Sequence, residues 1–331
     1  MRALQFITRG RPRTIALVAA FLALFCSQSF GATDWSAIQS ALGANGTEFP
    51  GNVLRFELSR LDLTITANGG TLTPNTMNPA IANGFIGFKP TGRSEFFVDG
   101  SLPAQDSELV ALQTVLRADK RIHITAIVNH AAVSVTPKLI WVHFEAKGDG
   151  AELATSLNEA LKTIHSPQLG QNIIPGTNSV FDPSLLPPEF MKLFDQGFVE
   201  QFDLIFAFYL PRPDEHSLTV GPVRAETGLG VGQSFYIQIP FSGGTNEATL
   251  NIDFALRADE IQPVEDLLRA GGFTISSQTS WFVDNSPHLY FVHASASGDG
   301  FALGNTLLDV VNIINQKSKQ NHDHDNHGDW D

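Results

Sequence analysis

The sequence predicts an α+β fold of two homologous copies, each an antiparallel sheet packed with two helices. Three observations lead to this prediction: an internal repeat, short runs in which apolar and polar residues alternate, and amphipathic helical segments between those runs. The order strand, helix, strand, strand, helix with antiparallel sheets is an α+β layout.

The internal repeat is clearest in two segments of similar sequence. Pro137–His143 reads Pro-Lys-Leu-Ile-Trp-Val-His, and Pro287–His293 reads Pro-His-Leu-Tyr-Phe-Val-His. From these starting points, 10 of 21 aligned positions are identical, where background composition gives about one or two. The period is too long for a solenoid, so the repeat indicates two copies of one domain.

The first copy is predicted to occupy residues 32–165. Asp106 is placed to cap its first helix, whose leucines share one face. The predicted elements are strands at Val53–Leu58, Leu61–Ala67, Phe85–Phe88 and Glu95–Leu102, a helix to Ala118, strands at Ile122–Asn129 and Leu139–Ala146, and a helix at Ala151–Ile164.

The second copy is predicted at residues 203–316, after a Pro- and Gly-rich linker at 166–202 that includes a short helix. Asp149 and its counterpart Asp299 are predicted to cap or turn into the closing helix of each copy. The predicted elements are strands at Leu204–Leu210, Ser217–Val220, Ser234–Pro240 and Ala248–Leu256, a helix at Asp259–Ala270, strands at Thr274–Ser280 and His288–Ala296, and a helix at Ala302–Ile314.

Residues 1–31 have the pattern of a secretory signal peptide. A basic stretch ends at Arg13, a short apolar run follows, and small residues favour cleavage after Gly31. The run is about half the length of a membrane-spanning helix. The sequence therefore predicts export to the periplasm or beyond, with no transmembrane helix in the mature chain. The alternatives are an uncleaved anchor and a lipoprotein attached through Cys26, which the bulky Phe25 disfavours.

Composition excludes several classes of protein. A single cysteine cannot form an internal disulfide, and a chain with 43% hydrophobic and 17% charged residues is too apolar to be disordered. The formal charge is −13; cleavage removes four of the 21 basic residues, leaving 17 against 34 acidic ones, or −17. Nucleic-acid binding is excluded as a general role, because it needs lysine and arginine concentrated on one face.

Five short motifs lie along the first copy: Ala41-Leu42-Gly43-x-x-Gly46, Arg60-x-Asp62, Asp106-x-Glu108, Asn129-His130 and Trp141-Val142-His143. Together they resemble the LppY/LpqO-like family of exported bacterial proteins. The resemblance implies a cell-envelope protein of unknown function, in which the domain commonly occurs twice and some members are lipoproteins. Typical members carry His-Asn-His on the penultimate strand, where this chain has Val-Asn-His at 128–130 and Gln-Thr-Ser at 278–280.

Two histidines of the first copy form a candidate metal site. Strand alternation and a hairpin can place His130 and His143 on one face, near Glu145. Zn²⁺ or another divalent transition metal needs three or four such ligands. The alternative is that both are hydrogen-bonded residues of a half-buried sheet. Asp99 and Asp253, which the repeat aligns, are ordinary strand-end residues or carboxylates of a site.

The C-terminal segment, residues 317–331, is predicted to be a disordered tail rich in His and Asp. Its imidazoles and carboxylates suit a flexible chelator of Zn²⁺, Ni²⁺ or Cu²⁺, and the alternative is a solvated acidic tail. The candidate ligands are His322, His324 and His327.

Three functions agree with these observations. The preferred one is an exported binding or interaction module, in which the two copies form a cleft for a small ligand or a surface for an envelope protein. The second is a metal-dependent, hydrolase-like enzyme that uses His130 and His143. The third is a metal-handling protein that uses the tail. No Ser–His–Asp order, HExxH helix or paired-acid motif indicates a catalytic mechanism.

Overall fold

Two large antiparallel sheets dominate the structure, one in each copy. The computed structural model describes residues 33–67, 70–72, 82–129, 135–165, 168–169, 186–194, 198–202, 205–238 and 247–326. From Trp35 onward the chain forms a single compact unit.

The first copy contains three helices and ten strands within the described residues. In chain order they are α1 (Ser36–Leu42), β1 (Thr47–Phe49), β2 (Val53–Ser59), β3 (Ile65–Ala67), β4 (Gly70–Leu72), β5 (Asn83–Pro90), β6 (Glu95–Gln105), α2 (Leu109–Ala118), β7 (Ile122–Val128), β8 (Val135–Thr136), β9 (Leu139–Asp149), α3 (Gly150–Lys162) and β10 (Gln168–Leu169).

The second copy repeats this series. Its described elements are α4 (Pro188–Phe194), β11 (Phe198–Phe202), β12 (Ile205–Leu210), β13 (Thr219–Val220), β14 (Val223–Arg224), β15 (Gln233–Gln238), β16 (Glu247–Arg257), α5 (Ala258–Ala270), β17 (Thr274–Thr279), β18 (Asn285–Ser286), β19 (Leu289–Asp299) and α6 (Gly300–Asn326).

The two copies share one sheet topology, which confirms the internal repeat. The large sheets have the strand orders β1-β2-β5-β6-β9-β7 and β11-β12-β15-β16-β19-β17. Each copy adds a three-stranded sheet, β4-β3-β8 or β14-β13-β18. The short strand β10, from the predicted linker, also pairs with β2.

The predicted layout of one sheet with two helices per copy is wrong. Each copy has a larger sheet, a second small sheet and a third helix, and strands outweigh helices. The missed elements, such as α1, β1 and the strands β4, β8, β14 and β18 of the small sheets, have two to seven residues. Segments this short span too few side chains to show a clear period.

The sheets pack face to face, with helices on the outside. Phe56 of β2 and Phe144 of β9 pack with leucines of α2 and α3, and Phe254 of β16 packs with leucines of α5 and α6. Alternate residues of these sheets, such as Trp141 of β9 and Phe291 of its counterpart β19, form a third hydrophobic cluster shared by both copies. We call the sheet surfaces that meet in this third cluster the inner faces.

A buried ion network joins the strands to a helix start in each copy. Arg60 donates to Asp62 and Glu108 (2.8 Å to each) and to the Pro103 carbonyl oxygen at 3.0 Å. In the second copy Arg212, Asp214 and Glu260 repeat this arrangement. Two of the motifs that carried the family resemblance, Arg-x-Asp and the glutamate at a helix start, therefore have a structural role.

The helix caps confirm part of the sequence analysis. The Asp149 carboxylate accepts from the backbone amides of Ala151 and Glu152, and Asp299 accepts from Ala302. The predicted cap Asp106 lies outside its helix, which begins at Leu109 and has Glu108 as its N-cap. Glu108 accepts from the Gln105 amide instead, which fixes the turn before the helix.

Helix α6 extends through residues 317–326, which the sequence predicts to be disordered. Ser318 is buried and accepts from Arg212 at 3.4 Å, and Lys317 lies 3.5 Å from Asp259. These contacts hold the helix against the second copy beyond its predicted end. Among the described residues, no helix has the length and apolar character to cross a membrane.

Candidate functional site

Buried polar side chains collect on the inner faces of both sheets. Sequence alternation places them there, because β2, β9 and their counterparts direct apolar residues toward the helices and every second residue toward the other sheet. The first copy contributes Arg55, Glu57, Asp99, Ser101 and His143, and the second contributes Tyr209, Tyr236 and His293, with the half-buried Asp253 beside them.

A cavity lies among these side chains and is lined by both copies. Its volume, measured as the space that the centres of water molecules can occupy, is about 40 Å³. The polar side chains in its wall are Arg55, Asn83, Ser101, His143, Ser234, Tyr236, Asp253 and His293, and the aromatic rings are Phe85, Trp281 and Phe291.

Arg55 is a buried cation at this junction. Its Nε donates to Glu57, and its Nη1 donates to the Gly228 carbonyl oxygen at 3.3 Å. The guanidinium carbon lies 3.9 Å from the centre of the Phe85 ring, a cation–π contact. Burial opposes its charge, but Glu57, Tyr209 and Tyr236 together outweigh burial and raise the pKa of Arg55 above its usual range. Arg55 therefore stays charged inside the molecule.

Gly228 allows the two copies to approach closely at this point. A Cβ atom at residue 228 would lie 2.8 Å from Val53 Cγ1 and 2.9 Å from Phe49 Cβ. Only glycine leaves room for its carbonyl oxygen to reach the Arg55 guanidinium.

Two histidines at equivalent positions occupy opposite sides of the junction. His143 stacks on Trp281, with ring centres 4.4 Å apart and planes inclined by 10°. Burial, followed by the proximity of His293, lowers the pKa of His143 to about 3. His143 is therefore neutral at physiological pH, and its nitrogens act as one donor and one acceptor.

His293 forms a hydrogen-bonded pair with a carboxylate. Its Nδ1 bonds to Asp253 Oδ1, and the two residues face each other across β16 and β19. In the first copy, the residue that faces His143 across β6 and β9 is Ser101. The copies have thus diverged: an Asp–His pair in the second stands where the first has Ser–His.

The strand pairing corrects the sequence alignment of Asp99 with Asp253. Asp99 faces Glu145, and the residue of the second copy in that place is Asn251, which faces Ser295. The alignment was two positions out of register because it matched leucines that occupy different rungs of β6 and β16.

Asp99 is 2% exposed, and its Oδ1 accepts no hydrogen bond from any residue that the structure describes. Burial raises the pKa of this carboxyl well above its usual range, although Arg55 opposes the shift. Such a carboxyl resists ionisation in the folded state.

Of the predicted metal ligands, the structure places only His143 at this site. His130 and His327 lie outside the described residues; His322 and His324 lie on α6, in a part whose side chains are not described. The structure describes no group of three or more His, Cys, Asp or Glu residues that could hold a metal ion.

Sequence reasoning missed Arg55, Ser101 and Tyr236, and it raised Asp253 as a possible site carboxylate without predicting its bond to His293. One signal was available: Arg55 and Glu57 interrupt a strand whose other residues are mostly apolar. Two charged residues that are two positions apart in a buried strand lie on the same face, and they indicate that this face meets a polar environment.

Comparisons with known proteins give one informative match. None of the curated proteins matches the chain. Among solved structures, a trimeric bacterial microcompartment shell protein, PduB, is 12% identical, with 82% of this chain and 90% of that chain covered and a TM-score of 0.20. EtuB from Clostridium kluyveri is 10% identical, with coverages of 83% and 91% and a TM-score of 0.20. Similarity at this level carries no inference about fold, assembly or function.

One family model matches both copies, over residues 36–163 and 192–313. The match shows that the assignment to the LppY/LpqO-like family was wrong. That assignment depended on short motifs, and several of them, such as Gly43 at the left-handed end of α1, serve the fold and not a family-specific site. The chain belongs, in two copies, to the family DUF1529, described as Domain of Unknown Function (DUF1259).

Proposed function

We propose that this chain is an exported binding protein of the cell envelope, which holds a small polar ligand in the cavity between its two copies. The observation that carries the proposal is the cavity itself, where charged and hydroxyl side chains from both inner faces converge in an otherwise apolar interface. Small-ligand sites combine apolar walls with a few convergent polar groups in this way.

The size of the cavity limits the ligand. One water needs about 10–15 Å³ of space measured for water centres, so the 40 Å³ here takes roughly three waters. A ligand held wholly inside has about three or four non-hydrogen atoms by the same measure. A larger ligand would place only one of its polar groups in the cavity.

The test uses a variant that fills the cavity. Ser234 lines it, and Ser234→Leu puts an apolar side chain into the space. Thr249→Leu is the matched control, because Thr249 lies on the same face of β16 as Asp253 but outside the cavity wall. Saturation-transfer NMR with small polar compounds measures binding, and circular dichroism checks that each variant is folded.

We expect at least one compound to bind the wild-type chain and the Thr249→Leu variant, and not to bind Ser234→Leu. Trp281 lines the cavity, so its fluorescence provides a second readout. The proposal fails if every binder tolerates Ser234→Leu, or if no compound binds the wild-type protein.

A further inference from the structure

The cavity wall offers a guanidinium and two serine hydroxyls as hydrogen-bond donors. Arg55 has donors only, and the Ser101 and Ser234 hydroxyls each carry a proton to donate. The Tyr236 hydroxyl donates to Tyr209 at 3.4 Å, because the Tyr209 proton goes to Glu57. The carboxylates nearby are already engaged: Asp253 Oδ1 bonds to His293, and Glu57 Oε1 accepts from Arg55 and from the Tyr209 hydroxyl at 3.3 Å.

Ser101 points to a missing hydrogen-bond partner. Its side chain is buried at 4% exposure, and its Oγ makes no hydrogen bond to any residue in the described part of the chain. A buried hydroxyl without a partner is unfavourable, and an acceptor in the cavity would satisfy it.

The carboxyl groups around the cavity already have partners or resist ionisation. Glu57 pairs with Arg55, Asp253 pairs with His293, and the raised pKa of Asp99 keeps that carboxyl from adding a full negative charge. Arg55 keeps donors beyond the two that reach Glu57 and Gly228. A guanidinium binds a carboxylate through charge-assisted hydrogen bonds, which are stronger than bonds between neutral groups.

Resting on the proposed function, we propose that the ligand is a small monoanion, and that its chemical class is a short carboxylate held by Arg55, Ser101 and Ser234. Acetate has the four non-hydrogen atoms that the cavity accepts. Acetamide has nearly the same shape and no charge, so it separates recognition of an anion from recognition of size.

Calorimetry at pH 7 with formate and acetate, against formamide and acetamide, tests the proposal. We expect at least one carboxylate to bind at least tenfold more tightly than its amide. Ser101→Ala and Ser234→Ala remove one donor each without changing the charge, and each should weaken carboxylate binding about tenfold. Both variants retain the Arg55–Glu57 pair, so they should fold.

Lys120→Ala is the control for non-specific anion binding, because Lys120 lies in a separate groove with Arg117 and His123. It should leave carboxylate binding unchanged. Equal or tighter binding of the amides, with loss of binding in Ser234→Leu, would overturn the anion proposal and leave the binding function intact. Absence of saturable binding by either carboxylate, or insensitivity of carboxylate binding to Ser101→Ala and Ser234→Ala, would also overturn it.

Discussion

At the residue scale, Asp99 shows how the two copies treat the same position differently. The first copy has a buried carboxyl there, and the second has Asn251, an uncharged residue of nearly the same shape. The two side chains can therefore be exchanged with little change in packing.

We expect Asp99→Asn to stabilise the protein at neutral pH. Because burial raises the pKa of Asp99, the folded state holds the proton more tightly than the unfolded state. The protonated carboxyl therefore adds to the free energy of unfolding below the unfolded pKa, and this contribution is lost as the pH rises through the folded pKa. Asparagine does not titrate, so the variant does not lose stability in this way. Urea unfolding should give a higher midpoint for the variant at pH 7 and nearly equal midpoints at pH 3.5.

The exposed Asp266→Asn change on α5 is the control and should leave both midpoints unchanged. A lower midpoint for Asp99→Asn at pH 7 would show that the ionised carboxylate contributes to folding.

His143 gives the opposite dependence on pH. Its folded pKa of about 3 lies below the unfolded value of 6.5, so the unfolded state binds the proton first. The contribution of His143 to the free energy of unfolding is then fully present above pH 6.5. It falls as the pH decreases toward 3, by at most about 1.4 kcal/mol per pH unit.

His143→Phe should reduce this loss, since phenylalanine keeps a ring against Trp281 and does not titrate. Between pH 6.5 and 4.5 the wild-type chain is expected to lose up to about 2–3 kcal/mol more free energy of unfolding than the variant. NMR of the His143 imidazole checks the cause directly. A titration midpoint near 6.5 would contradict it.

At the element scale, the repeated Arg–Asp–Glu networks fix where α2 and α5 begin. Glu260 is fully buried, bonds to Arg212 at 2.8 Å and accepts from the Arg257 amide at 2.7 Å. Its equivalent Glu108 makes the same contacts, so the network belongs to the domain and not to one copy.

Glu260→Gln is expected to lower the free energy of unfolding by about 3 kcal/mol, because it leaves the buried guanidinium of Arg212 without one of its two carboxylate partners. Glu159→Gln breaks the exposed pair with Lys162 and should cost less than about 1 kcal/mol. Chemical denaturation of both variants gives the comparison. A similar loss of unfolding free energy in both variants would mean that the buried network contributes little to stability.

Helix α6 is the element that the sequence described least well. Apolar spacing predicts its end near Ile314, whereas the helix continues to Asn326, and Lys317 and Ser318 contact the second copy beyond the predicted end. Such contacts come from distant parts of the chain, so no local pattern reveals them.

The same helix carries two of the predicted tail ligands, which leads to a metal prediction. An untagged full chain should bind Zn²⁺ or Ni²⁺ weakly through His322, His324 and His327, and a chain ending at Lys319 should not. Elemental analysis and calorimetry measure both. A stoichiometric metal that remains in the shortened chain would favour a site near His143 and the enzymatic alternative.

At the scale of the whole molecule, export is the prediction with the widest consequence. A signal peptide cleaved after Gly31 leaves a mature chain that begins at Ala32 and contains no cysteine. Expression with the native N-terminus, followed by fractionation and mass spectrometry, should find that chain outside the cytoplasm. Cys26→Ser should not alter its processing, whereas a lipoprotein would lose its anchor.

The arrangement of the two sheets is what creates the cavity. Its wall joins residues from 55 to 293, and Lys89 of the first copy pairs with Glu226 of the second at 2.9 Å. A chain shortened to one copy would therefore expose an apolar inner face and half of the polar cluster.

Local sequence patterns were enough to establish the repeat, the positions of the longer strands and helices, the capping roles of Asp149 and Asp299, and the position of His143 on the same strand face as Trp141. These features depend on local spacing, which the period of a strand or helix makes visible. The meeting of Arg55, Ser101, Asp253 and His293 at one cavity depends instead on tertiary packing. Spacing shows which face a residue occupies, but strand register and the packing of one sheet on another decide which faces and residues meet.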